Sequence, residues 1–135
     1  MPHVVRIRFG AFALAVVSAA TIGVAVAQAT LSSHLRSATI TVQNGSLPPP
    51  YGRAHVYRYT TRAAVTKVRR ALDANHIVPR HATTSLGCAG GLSVTLKLVA
   101  RPTRTLTAYE CGGRNYGGIA GNVTGFLSAL GISTP

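Results

Sequence analysis

Leu92–Cys111, LSVTLKLVARPTRTLTAYEC, is two alternating runs joined by a proline-bearing turn. In the first run Leu92, Val94, Leu96 and Leu98 point one way, and Ser93, Thr95 and Lys97 the other. That is the period of a half-buried strand. Ala100–Thr103 holds Pro102 and reads as the turn. Arg104–Cys111 returns as the partner strand. A hairpin with one apolar face must bury that face under another layer.

Helical periodicity supplies that layer on either side. From Arg62 to Asn75, Ala64, Val65, Val68, Ala71 and Leu72 share one side, with Thr60 or Thr61 placed to cap the first amides. Arg62, Lys67, Arg69 and Arg70 share the opposite side, and Asp73 follows Arg69 and Arg70 by one turn. After the hairpin, Ile119, Val123, Phe126, Leu127 and Leu130 repeat at helical spacing, with Gly131 as a stop. Ahead of the first helix, Ala38–Gln43 (ATITVQ) and His55–Thr60 (HVYRYT) carry strand formers. Asn44-Gly45 and Pro48-Pro49-Pro50 break the chain between them. His76–Gly87 reads as a connector, and Gly112, Gly113, Gly117 and Gly118 read as a Gly-rich bend. The predicted order is strand, strand, helix, strand, strand, helix. It implies an α+β two-layer sandwich: an antiparallel sheet of about four strands with two helices on one face.

The N-terminus sets the compartment. His3, Arg6 and Arg8 precede an uncharged run, Phe9–Ala27, that closes on Ala25-Val26-Ala27 before Gln28. This is the layout of a cleavable signal peptide. Residues 1–27 are then a signal helix, 28–37 a flexible tail and 38–135 a single domain. The rival reading is an uncleaved anchor, since about 20 apolar residues span a bilayer. An exported chain with two cysteines, Cys88 and Cys111, is expected to pair them. The bridge would close a loop of about 24 residues across the hairpin and stabilise by roughly 3 kcal/mol.

Charge speaks to partners. Without the leader the chain holds twelve basic residues against Asp73 and Glu110 alone. Such an excess draws a protein to polyanions, although a GC-rich genome also enriches arginine. Outside a bacterial cell the polyanions are wall polymers, acidic polysaccharides and anionic lipids. The leader argues against a specific nucleic-acid role. The candidate anion-binding residues are Arg62, Lys67, Arg69, Arg70 and Arg114, the last between Gly112-Gly113 and Gly117-Gly118. Tyr51, Tyr57 and Tyr59 lie near in sequence and can stack on sugars or bases. Two carboxylates 37 positions apart, no Gly-x-Ser-x-Gly elbow and four scattered histidines (His34, His55, His76, His81) give no catalytic, metal or cofactor constellation.

Gly87-Cys88, the alternating hairpin, Cys111 and the closing helix resemble small exported proteins of unknown function from high-GC Gram-positive bacteria. More distantly, size and α+β order are similar to the subtilisin-inhibitor-like proteins, which carry two disulfides and a Cys-anchored reactive loop. Here there is one cysteine pair and no cysteine beside a scissile position. The expectation is a secreted, monomeric, non-enzymatic protein associating with anionic polymers or envelope lipids. The alternative is an inhibitor of an extracellular protease, offering Val78-Pro79-Arg80-His81 or the Arg101–Arg104 turn.

Overall fold

A computed structural model describes residues 31–44, 52–83 and 91–134. Six antiparallel strands form one sheet: β1 (Ser37–Asn44), β2 (His55–Tyr59), β3 (Val78–Thr83), β4 (Leu92–Val99), β5 (Arg104–Cys111) and β6 (Arg114–Ala120). Their spatial order is β2-β1-β4-β5-β6-β3. Helix α1 (Arg62–Ala74) leaves one edge strand, β2, and delivers the chain to the other, β3. Helix α2 (Val123–Ala129) follows β6.

The core follows from strand parity. Ala38, Ile40 and Val42 of β1 alternate with less buried neighbours and pair across to Leu98, Leu96 and Val94 of β4. These meet Val65, Val68, Ala71 and Leu72 of α1, and Val123, Phe126 and Leu127 of α2, in one buried cluster. Both helices therefore cover one face of the sheet, and among the described residues no helix covers the other. Leu31 and Leu35, from the stretch read as a tail, are buried in the same cluster.

Thr61 caps α1, its Oγ1 accepting from Ala64 N at 3.2 Å. Asn122 does the same for α2, accepting from Gly125 N at 2.8 Å. Two basic side chains then lock the layers. Lys67 Nζ donates to the carbonyl of Leu130, which ends α2, at 3.2 Å, and Arg69 donates to Leu35 O at 2.6 Å. Cations are favoured on the orphan carbonyls of a helix C-terminus.

Several expectations are corrected. The sheet has six strands, not about four. The stretch read as a connector contains β3, which pairs with β6 as an edge strand. Its Pro79 is tolerable there because an edge strand lacks a partner on one side. The stretch read as a Gly-rich bend is β6, and Gly117 is required in it: a Cβ there would come 2.5 Å from Thr107 O. Ile119 belongs to β6, so the last helix begins only at Val123. The expected Cys88–Cys111 bridge is not part of the described structure. Cys88 lies outside the described residues, while Cys111 closes β5 and is not a free thiol. The leader, its cleavage point and Tyr51 also lie outside them. Among the described residues no helix is long and apolar enough to cross a membrane.

Candidate functional site

The five predicted anion-binding residues do not form one site. Lys67 and Arg69 are committed to Leu130 O and Leu35 O. Arg70 is exposed on α1. Arg114 opens β6 just after the Gly112-Gly113 turn, at the opposite end of β5 from Arg104. Those two glycines take positive φ, 56° and 76°, with open space around them, as a tight turn requires. Arg62 and Arg69 of the set line a common cleft. It is open, about 440 Å³, and is shared with Leu35, Arg36, Thr60, Val65 and Thr66.

That cleft leads to a grouping sequence reasoning missed. Antiparallel pairing of β1 with β4 sets Ser37 opposite Val99, and Arg36 N donates to Val99 O at 2.8 Å. Arg36 therefore sits beside the β4–β5 turn, where it lines a second open cleft with His34 and Arg101. The same end of the sheet carries Arg104 at the start of β5. It also carries a row of partners across three strands, Arg58–Thr39–Lys97. The N-terminus of α1, with Arg62, adjoins through the end of β2. Six cations thus gather at one pole of the molecule, with His34 beside them. The signal was present in the pairing logic of the hairpin, not in any local motif.

Both acids lie away from this pole. Glu110 is six residues along β5 from Arg104, roughly 20 Å at the rise of a strand. Asp73 is eleven residues along α1 from Arg62, roughly 16 Å at helical rise. Screening falls off over about 8 Å at physiological salt. Neither carboxylate therefore neutralises the pole.

Glu110 has a structural role of its own. Thr124 Oγ1 lies 2.7 Å from its Oε1 and 2.6 Å from its Oε2, in the first turn of α2. A carboxylate there satisfies the donor and suits the positive end of a helix. The surrounding depression is open and small, about 190 Å³, with Asn44, Leu92, Gly112, Gly113 and Thr134 on its walls. Among the described residues no three of His, Cys, Asp and Glu cluster as a metal site would need.

The tyrosines also sort themselves. Tyr57 and Tyr59 are half-buried against the core, which is packing rather than a stacking platform. Burial pushes the Tyr59 phenol above its usual 10.0, and the adjacent Tyr57 adds to the effect. Tyr109 and Tyr116 are register partners on the open face, and sequence reasoning passed over both. Arg80, offered as part of an exposed inhibitory loop, instead lies in β3. Its guanidinium donates to Gly117 O at 3.0 Å and Asn115 O at 2.5 Å. The Arg101–Arg104 turn remains exposed.

No family model matches the chain, and neither a curated protein nor a solved structure matches it.

Proposed function

We propose that the protein acts outside the cytoplasm as a non-enzymatic binder of anionic cell-envelope material, using its basic pole. The observation that carries this reading is the gathering of Arg36, Arg58, Arg62, Lys97, Arg101 and Arg104 at one end, with both carboxylates elsewhere. The signal-like N-terminus supports the compartment. A cluster of exposed cations on flat or shallow ground attracts polyanions through counterion release, which makes binding steeply salt-dependent.

Heparin chromatography in graded salt tests the proposal. Retention at low ionic strength, with elution that moves earlier in an Arg36→Ser/Arg101→Ser variant, is the expected result. Failure to bind at low salt overturns the reading. So does elution unchanged by the substitutions while Arg53→Ser/Arg114→Ser, at the other end of the sheet, shifts it.

A further inference from the structure

The open face of the sheet is patterned in rows. Nearest the basic pole the register reads Arg58–Thr39–Lys97–Thr105 across β2, β1, β4 and β5. The next row is Val56–Thr41–Thr95–Thr107, and the Thr95 and Thr107 hydroxyls are 3.4 Å apart. The third contains Ser93, Tyr109 and Tyr116. Tyr109 lies against Gly91, where a Cβ would come 2.6 Å from its hydroxyl oxygen. The face therefore runs from cations through hydroxyls to aromatic rings, and no carboxylate lies on these rows.

The first row has a spacing as well as a charge. Strands in a sheet lie roughly 4.8 Å apart, so Arg58 and Lys97 are separated by about 10 Å with the hydroxyl of Thr39 between them. Cation, hydroxyl, cation, hydroxyl is the complement of a linear polymer that bears one anion per two units and hydroxyls throughout. An acidic polysaccharide with a carboxylate on alternate sugars has that pattern. A polyphosphate or a nucleic acid carries a charge on every unit and offers few hydroxyls to the rows behind. Tyrosine rings can pack on the apolar faces of sugars.

From this spacing we infer that the preferred ligand is a linear polysaccharide with sparse, alternating carboxylates, laid across the strands of the open face. The inference rests on the polyanion-binding reading above and narrows it to a ligand class. Hyaluronan, with one carboxylate per disaccharide, is the probe, against heparin, inorganic polyphosphate, anionic lipid vesicles and neutral dextran. Binding of the full protein is measured by calorimetry in graded salt. Two variants separate the surfaces: Arg58→Ser/Lys97→Ser on the face and Arg36→Ser/Arg101→Ser at the clefts. All four positions are exposed, and circular dichroism checks that each variant keeps its fold.

The expected result is that hyaluronan binds, and that the face variant weakens it roughly fivefold to tenfold, as loss of two exposed charge contacts implies. The cleft variant weakens hyaluronan less than heparin. Hyaluronan affinity unchanged in the face variant overturns the inference. Binding of heparin, polyphosphate or vesicles without hyaluronan also overturns it, yet leaves the broader polyanion reading standing. Absence of binding to every charged probe removes both.

Discussion

Arg69 and Arg70 are neighbours in sequence with opposite fates, and a pair of alanine substitutions separates them. Arg69 reaches across to Leu35, a buried core residue, and donates to its carbonyl at 2.6 Å. A hydrogen bond with one charged partner contributes about 1.5–3 kcal/mol. Arg69 Nε is buried without a partner, and that desolvation offsets part of the gain. The net loss in Arg69→Ala is therefore placed at the low end, about 1.5 kcal/mol. For a domain of this size it lowers Tm by roughly 6–12 °C. Arg70 is exposed, so Arg70→Ala stays within about 0.5 kcal/mol of the parent. Denaturant and thermal unfolding of both variants read the difference. Equal stability of the two would refute the assignment of Arg69 to the frame of the protein. An Arg69→Ala variant that loses heparin retention and no stability would do so more strongly.

Three further outcomes follow from the geometry. Tyr59 titrates above its usual value because burial, then the nearby Tyr57, disfavours the phenolate. Its contribution to stability is thus fully present below about pH 10 and declines as pH rises through the folded value; Tyr59→Phe should flatten the fall of the denaturation midpoint above about pH 10. Gly121 has φ 110°, and a Cβ there would meet His76 O and come 2.7 Å from Asn75 O. Gly121→Ala should cost about 3 kcal/mol, from strain plus displaced backbone. Gly112→Ala, with φ 56° and nothing within 4 Å, should cost only about 1–2 kcal/mol in the same urea titration. Phe126, fully buried between α2 and the sheet, should cost about 3–5 kcal/mol as Phe126→Ala. Calorimetry would then show a transition lowered by tens of degrees or lost, since a whole domain has only about 5–15 kcal/mol.

Legibility in the sequence tracked periodicity. The spacing of Val65, Val68 and Leu72 gives α1, and the alternation of Leu92–Val99 gives β4, because one buried face imposes one period. β3 and β6 escaped for a physical reason. VPRHAT and RNYGGIA contain proline, asparagine and glycine, residues that strands normally shun. Tertiary context supports both. Arg80 is tied to two carbonyls of β6, and Gly117 is the residue that lets Thr107 O approach. Neither contact has a local signature. The candidate site behaved the same way. A single helix face suggested Arg62, Lys67, Arg69 and Arg70, whereas the pole is assembled from residues far apart in sequence by strand register.

The number of cations does not explain their arrangement. Lys67, Arg69 and Arg80 each donate to backbone carbonyls of other segments, so these side chains tie the frame together. Six of the other nine basic residues within 28–135 meet at one end of the sheet, contributed by the segment before β1, by β2, α1 and β4, by the turn after β4, and by β5. Neither of the chain's two carboxylates lies among them to relieve the repulsion. Instead Glu110 is held by Thr124 at the start of α2, and Asp73 lies near the other end of α1. Like charges brought together without relief destabilise the folded state. Under the proposed function an external anion supplies the relief that the chain's own carboxylates do not, beside a hydroxyl-bearing face whose cations stand two strands apart.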